Sequence, residues 1–584
     1  MKILLSALHF GYLRNFDSVV ALLAERGHVV RLLADEPDAF GGQALAEALV
    51  ARYPARVSWG FAPSYEGERW FLVARKLRLG FEYLRFLEDP YFAFPKLHER
   101  LAERVPRGLL WLLSIPGVNS RPGRRLLRRG LAALDTAMPR NPAMDACLAD
   151  VRPDVLLLTS ITNPRAPQLD HLRSARALRI QTGISVYSWD HLSSKALIRV
   201  LPDRVLVWND TQKREAVELH GVPAARVTVT GAQCYDQLFR WQPGQLREDF
   251  CRAAGLPPNR PYVLYVCSAL TPDPREAAFV VEWVRSLRRS SDGRLRTVGV
   301  LIRPHPERRG EWDDVDLDGL GPVVVHGRTP FTPDARSDYY HGLAHSAAVV
   351  GLVTSAFLEA AIIGRPVLTL LRPELTKHQE GMLHFRYLLE VEGGLLQVAR
   401  HLHEHCAQLS AALDGTGEWV AQQRRFLRAF VRPHGLEVPA TDLFADAVEA
   451  LGASESSEFE VADATSRLRP VVDWIVARSQ DGRVVRPLLF DTREAEKQRQ
   501  RSLRLAQHAR DKHRRKRQRR QDRAERERAL VGVRRQAMAR KAAVKRRKVA
   551  VKRVKRREKR ARLWSKRVER MTFLGSLIRK RIGI

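Results

Sequence analysis

Cysteine is scarce in this chain of 584 residues: five, at positions 147, 234, 251, 267 and 406, with no CxxC pair and an odd total. That argues against a disulfide framework and against a cysteine-ligated zinc site. Long apolar runs are missing as well. The richest window, Ala347 to Ile363, is broken by Glu359 and is too short to cross a bilayer. The opening MKILLSALHFGYLRNFDS has neither an extended apolar core nor a small-residue cleavage site. The expectation is a reduced, cytoplasmic protein whose membrane contact, if any, is peripheral at the inner face. Neither GxGxxG nor GxxxxGK[ST] occurs, so a standard dinucleotide or P-loop site is unsupported.

Basic residues dominate one end. Residues 491–584 hold 38 Lys and Arg against 9 Asp and Glu, a net charge of +29, while the first 490 hold 61 against 56. The overall charge of +34 therefore belongs to a tail and says nothing about chemistry in the body. Aromatics are missing from that tail, apart from Trp564 and Phe573. Base stacking is thereby disfavoured, and phosphate charge is left as the target. Basic blocks such as Lys512–Arg520 and Lys545–Arg560 repel themselves, so an isolated helix there would be marginal. Met571–Ile584 mixes Phe573, Leu574, Leu577 and Ile578 with Arg579, Lys580 and Arg581, a composition suited to an interfacial helix. The tail's partner is an anionic membrane, another surface polymer or nucleic acid, or it has no specific partner.

What is present is a body rich enough in apolar residues to pack, with 45% hydrophobic residues overall. Short Val, Ile and Leu runs alternate with helical patterns, the signature of βαβ units and a parallel sheet. Strands are expected at Lys2–Leu8, Val29–Leu33, Val155–Thr159, Ile184–Tyr187, Arg204–Trp208 and Val227–Thr230. A second series runs through Tyr262–Cys267, Val298–Arg303, Val323–Val325, Val349–Val353 and Val367–Leu371. The fold class is thus α/β, with two facing, doubly wound (Rossmann-like) domains. Residues 1–236 form the first domain, interrupted by an aromatic and basic insertion at 69–134. Residues 237–418 form the second, followed by helices at 419–453, a linker at 454–490 and the tail at 491–584; the resemblance described below makes these the acceptor domain, the nucleotide-donor domain and the crossover. The insertion sets Gly108–Val118 beside Arg121, Arg124, Arg125, Arg128 and Arg129. It is either a helical lid or a segment that lies on an anionic membrane.

The densest chemistry is in the second half. Arg303-Pro304-His305-Pro306 ends a strand in a rigid turn, where open α/β sheets bind ligands. Arg303 suits pairing with a phosphate and His305 donation to one. Fifty residues on, a strand delivers Thr354 and Ser355 to the start of a helix carrying Glu359. Hydroxyls and backbone N–H groups there suit an anion, and Glu359, at i+4 from Ser355, suits ribose hydroxyls. Together these turns point to a nucleotide diphosphate site. In the first half, Ser188-Trp189-Asp190-His191 runs on to Lys195 as a polar loop at a strand end. Asp314–Gly319 starts like a calcium loop but has Val325 where the position-12 glutamate belongs, and a metal on His401, His403, His405 and Cys406 is disfavoured by helical spacing.

On these residues, Met1–Gly452 resembles the GT-B glycosyltransferase-like superfamily. It is most similar to the branches that use CMP- or CDP-linked donors, such as CDP-glycerol glycerophosphotransferases, bacterial sialyltransferases and capsule Kdo transferases. Those families hold the donor phosphates between a His-Pro turn and a Ser/Thr turn, matched here by His305-Pro306 and Thr354-Ser355. Glu359–Val367 resembles their helix–Gly–x–Pro–Val segment, and Glu359 would contact the donor ribose. Trp419–Leu451 would be the crossover back to the first domain. Val229–Asp236, with Gly231 as its hinge glycine, resembles a Thr-Gly…Asp segment shared with non-hydrolysing UDP-GlcNAc 2-epimerases.

Many retaining members carry a second glutamate eight positions before the ribose glutamate. Gly351 stands there, which favours inversion and calls for a base in the first domain. His9 resembles the base of some inverting members; Asp190 and His191, with Lys195 at the cleft, are the other candidates. The implied function is transfer of a glycosyl or polyol-phosphate group from a CDP- or UDP-linked donor to a polysaccharide or lipid-linked acceptor, with no further cofactor or metal. The tail and insertion would hold the enzyme at an anionic membrane. The alternatives are an NDP-sugar 2-epimerase and a non-enzymatic protein binding nucleic acid or another anionic polymer through its tail.

Overall fold

The computed structural model describes residues 1–38, 41–65, 68–159, 161–162, 167–268, 276–330, 332–415, 419–454, 467–479, 485–490 and 541–578. The chain divides into two compact units, Met1–Thr492 and Arg493–Ile584.

The first unit holds two parallel sheets. One contains β1 (Lys2–Ala7), β2 (Val29–Ala34), β3 (Val57–Phe61), β4 (Val155–Leu158), β5 (Gln181–Ser185), β6 (Arg204–Val207) and β7 (Val227–Val229), in the order β3-β2-β1-β4-β5-β6-β7. The other contains β8 (Tyr262–Val266), β9 (Gly299–Arg303), β10 (Val323–Val325), β11 (Ala348–Gly351), β12 (Val367–Leu370) and β13 (Gln397–Ala399), ordered β10-β9-β8-β11-β12-β13. Both are doubly wound parallel sheets, as the sequence leads one to expect. Strands covered on both faces read as unbroken apolar runs, and VLLL in β4 and YVLYV in β8 are buried at every residue.

Alternation decides which side each residue serves. Ile3 and Leu5 of β1 pack with Val19, Leu23 and Leu49 on one face, while Leu4 packs with Leu148, Leu172 and Ala216 on the other. The strand order turns back at β1 in the first sheet and at β8 in the second, and crevices at such switch points bind ligands.

Two helices make the crossover. Trp419–Phe430 buries Phe426 and Phe430 in the second domain's core, and Ala440–Ala453 buries Phe444, Val448 and Leu451 against the first sheet. The insertion is helical, with helices Arg69–Phe86, Pro95–Ala102, Arg107–Ser114 and Arg121–Thr136. Several of its arginines serve the interior. Buried Arg78 donates to Asp135 at 2.8 Å and to Asp170 at 3.0 Å, and Arg85 donates to Glu82 at 2.8 Å.

One expected linker is structured. Within 454–490, Arg469–Arg478 and Val485–Leu489 are helices, and fully buried Val472 sits with Val73, Ala74 and Leu77 of the insertion. The described part of the second unit is a helix over residues 541–578. Sixteen Lys and Arg against two Glu repel along it, but no Pro occurs and Gly575 is the only glycine, while Ala, Arg and Lys are strong helix formers. Lys512–Arg520 and Arg579–Arg581 lie outside the described residues.

Candidate functional site

Two strand ends and a helix of the second domain converge on one cavity of about 270 Å³. Arg303 and His305 come from the end of β9, Thr354 and Ser355 from the turn after β11, and Glu359 from the helix Ala356–Ile362 that follows. All five were singled out in the sequence, and all five line this cavity. The facing wall belongs to the first domain: Arg14 and Asn15 from the turn after β1, with Tyr187, Ser188 and Trp189 from the loop after β5.

Arg303 is buried and fixed on three sides. It donates to the Arg328 carbonyl at 2.6 Å, stands 3.6 Å from Asp338 and lies over the Tyr339 ring at 4.4 Å. Gly327 makes this possible. Its φ of +116° suits glycine, and a β-carbon there would stand 2.5 Å from an Arg303 guanidinium nitrogen. Burial pulls the Arg303 pKa down while Tyr339, Asp338 and Glu359 oppose the shift, and the guanidinium stays charged.

His305 Nδ1 accepts the Glu307 backbone N–H at 3.3 Å, which leaves Nε2 to carry the proton of the neutral ring. Burial lowers its pKa, Glu307 opposes that, and Arg14 and Arg308 add to it. At neutral pH His305 is therefore an uncharged Nε2–H donor.

The Thr354-Ser355 turn uses part of its own donor set. Thr354 Oγ1 accepts from the Ala356 N–H at 3.3 Å, and the Ser355 carbonyl accepts from the Leu358 N–H at 3.0 Å. The exposed Ser355 hydroxyl is left for a ligand more clearly than the backbone cradle expected from the sequence. Behind the turn, Ser268 Oγ accepts the Val353 N–H at 3.0 Å, and buried Glu276 takes hydrogen bonds from Ser268 N–H at 2.7 Å and Tyr265 Oη at 3.0 Å. Burial raises Glu276 to about 7.

Glu359 is the only carboxylate among the residues lining the cavity. Its carboxylate accepts the Tyr339 hydroxyl. Burial raises its pKa, and Tyr339, Arg14, Arg303 and Arg336 hold that rise back. Gly351 has no room for a second acid. A β-carbon there would meet Phe357, Thr354 and the Val266 carbonyl, each at 3.0 Å.

Arg14, Arg328 and Arg336 complete the charged lining and were not found in the sequence. Arg336 also donates to Gln237 at 3.1 Å and reaches across to Asp17 of the first domain at 3.4 Å. Arg336, Tyr339 and Tyr340 share one face of the helix Pro333–Ala344, a spacing of three and four that the sequence did offer.

The first-domain candidates separate. His9 caps β1 and does not itself line the cavity: its ring lies 4.6 Å from Tyr12, which lies 4.8 Å from the lining residue Tyr187. His9 Nδ1 faces Asp38 at 3.6 Å, an acid the sequence reading missed because it follows β2, a different strand. Burial lowers the His9 pKa, with Asp38 and Glu36 opposing, so the ring is neutral at pH 7.

Asp190 is tied to Ser188 Oγ at 2.6 Å and Lys195 Nζ at 3.1 Å. Burial pushes its pKa up, but Lys195, His384 and Ser188 hold the carboxyl well below the usual range. His191 turns the other way. It is fully buried, takes the Tyr187 N–H at 3.3 Å, and burial lowers it to about 3. Expected as a possible base, His191 sits instead in the interior, where no acceptor can reach it. Lys195, expected at the cleft, is not part of the cavity lining. Gly231, with φ +85°, packs against Ala440, whose Cβ would lie 2.8 Å from a side chain there, and Ala232 N–H donates to the Val431 carbonyl at 2.9 Å. The two chain crossings between the domains meet at this point.

No family model and no curated protein matches the chain. Solved structures similar to it include the UDP-GlcNAc 2-epimerase of Neisseria meningitidis bound to UDP-GlcNAc, at 12% identity over 77% of this chain and 100% of that one, with a TM-score of 0.44. A glycosyltransferase of Rickettsia africae is 10% identical over 78% of this chain and 99% of that one, TM-score 0.44. CalG4, the calicheamicin glycosyltransferase, is 14% identical over 77% and 98%, TM-score 0.39. Transferases and epimerases thus both stand among the neighbours, and at these values the likeness does not choose between their reactions.

Proposed function

We propose that the chain is a nucleotide-donor transferase, moving a glycosyl or polyol-phosphate group to a polysaccharide or lipid-linked acceptor. One observation carries this reading: Arg303, His305, Ser355 and Glu359 meet Arg14 and Arg336 around a single cavity at the ends of both sheets. Four arginines and a neutral histidine donor against one carboxylate suit a diphosphate, with Glu359 free to accept from ribose hydroxyls. As the donor bond breaks, charge grows on the leaving nucleotide, and fixed guanidinium groups stabilise it without reorganising. His9, whose Nδ1 stands 3.6 Å from Asp38, is the base we assign to the acceptor hydroxyl, acting through Nε2. The donor is read as CDP- or UDP-linked from the resemblance of the His305-Pro306 and Thr354-Ser355 turns.

Epimerisation would need groups that remove a proton and return it on opposite faces, and the carboxylate and imidazole among the lining residues, Glu359 and His305, both come from the second domain. A membrane-held acceptor is supported by Trp111 and Leu126, 63% and 72% exposed beside Arg121, Arg125 and Arg129, and by the basic helix 541–578. Binding of CMP, CDP, UDP, GDP and ADP to the full chain tests the donor site, with His305→Ala and Ser355→Ala as controls. One nucleotide bound selectively and lost in both variants supports the reading; no binding by any of them refutes it. Turnover of a nucleotide sugar without acceptor to its epimer would replace transferase by epimerase. Salt-sensitive capture of RNA in preference to anionic vesicles would remove the membrane assignment.

A further inference from the structure

A second cavity, of about 320 Å³, opens where the two chain crossings meet. Its floor is apolar, made by Phe239, Ile362, Leu427 and Leu436, and Arg240 and Arg424 stand exposed at its rim. Neither arginine has an ion pair or side-chain hydrogen bond among the described residues. Glu437 is the one carboxylate on the wall. Arg432, at the base, is already committed: it pairs with buried Asp236 and lies 3.8 Å from the Phe239 ring centre. The wall therefore has one positive charge in excess. An apolar floor and an excess cation in one concavity are what an amphipathic anion requires.

This cavity and the donor cavity share two elements. The helix Ala356–Ile362 lines the donor cavity with Ala356 and Glu359, and the second cavity with Ala361 and Ile362. The segment after β7 gives Cys234, Tyr235 and Gln237 to the donor cavity, and Phe239 and Arg240 to the second. Asp236 lies between them and fastens the crossings, accepting from Arg432 Nε at 3.1 Å and the Thr441 N–H at 2.6 Å.

We propose that this second cavity binds a small amphipathic monocarboxylate of about ten non-hydrogen atoms, at ~30 Å³ each, and that its occupancy changes nucleotide affinity in the donor cavity. The carboxylate pairs with Arg240 and Arg424, and the chain lies on the apolar floor. The second half of the proposal rests on the donor-site reading; the first half does not.

Octanoate is the probe, titrated into the full-length protein by calorimetry, with octanol as the uncharged control. The expected result is saturable one-to-one binding, with octanol weaker by about fivefold or more. Arg240→Ala and Arg424→Ala should each weaken octanoate by about fivefold while leaving melting temperature and nucleotide affinity without octanoate unchanged. Absence of saturable binding overturns the site, as does binding indifferent to both variants or matched by octanol. Octanoate at saturation should also shift the Kd of the nucleotide that binds best, and that nucleotide should shift the octanoate Kd by the same factor. Independent affinities overturn the coupling. If no nucleotide binds, the donor reading fails, while the octanoate titration still tests the site.

Discussion

The donor reading makes His305 a neutral hydrogen-bond donor at pH 7 that becomes a cation on acidification, and this gives a measurable signature. A hydrogen bond to a charged phosphate contributes about 1.5–3 kcal/mol, so His305→Ala should weaken nucleotide diphosphate binding by about 10- to 150-fold at pH 7.5. Burial holds the His305 pKa below its ordinary value of 6.5, so protonation, and the extra attraction it brings, comes only below that pH. The bound phosphates raise that pKa by linkage, and the ratio of variant to wild-type Kd should therefore grow as pH falls from 7.5 to 5.5. Taking the ratio cancels the protonation of the nucleotide itself, whose terminal phosphate titrates near 6. Loss of Nδ1 as acceptor for the Glu307 N–H removes a cap and costs about 1 kcal/mol of stability, which thermal melting reports separately. Calorimetric titration at three pH values decides the matter. A ratio below about threefold, flat with pH, would mean that His305 does not touch the phosphates.

Gly327→Ala should lower the melting temperature through about 1–3 kcal/mol of backbone strain and weaken nucleotide binding, since its β-carbon needs the place of the Arg303 guanidinium; unchanged affinity would remove Arg303 from the site. If His9 is the base, the acid limb of the kcat/KM profile lies below pH 6.5, because burial lowers its pKa. Asp38→Asn should move that limb lower still, since Asp38 raises His9, and should also reduce the plateau; an unmoved limb argues for another base. Five buried histidines should make the fold acid-labile: His171, His191 and His405 are lowered to about 3, and His220 and His384 to about 4, all first by burial. Unfolded, each takes a proton near 6.5, so stability is intact above that pH and falls below it by about 1.4 kcal/mol per histidine per pH unit. His405→Leu, at a site where neither ring nitrogen has a hydrogen bond, should flatten the slope of urea midpoint against pH between 6 and 4.5; an unaltered slope contradicts the assignment.

The readable parts of the fold were the strands buried on both faces, because a run such as VLLL or YVLYV has few other uses in a chain of this composition. The strands not anticipated are edges: VSWGF of β3 is mostly half-exposed and QVA of β13 is three residues long, so neither carries an apolar run. β5 begins three residues earlier than expected. Its first residues are polar, and Thr182 is satisfied only by Asp203, 21 positions away, through a hydroxyl bond of 2.6 Å. Within the site, residues at the ends of their own strands were legible one strand at a time. Arg14, Arg336 and Asp38 were not, since their roles exist only once separate strands and domains meet. Sequence neighbours could also mislead: Asp190 and His191 read as one polar pair, yet the chain sends the acid to Lys195 and the imidazole into the core.

The division of labour between the domains constrains the chemistry further. The second domain supplies most of the fixed cations and holds Glu359 on the Tyr339 hydroxyl, surrounded by arginines, an arrangement that suits an acceptor of ribose hydroxyls better than a nucleophile. Gly351 leaves that wall with Glu359 as its one carboxylate. On the proposed reading, proton removal falls to His9 of the first domain, which stands behind Tyr12 and Tyr187 with Asp38 3.6 Å away. The domains are already fastened around this arrangement by Arg336 to Asp17 at 3.4 Å and by Tyr387 to Glu215 at 2.9 Å. A base on one domain and a leaving-group site on the other act together only when the cleft is closed. Substitution at the Tyr387–Glu215 fastening, which lies outside the donor cavity, should therefore slow turnover more than it weakens nucleotide binding.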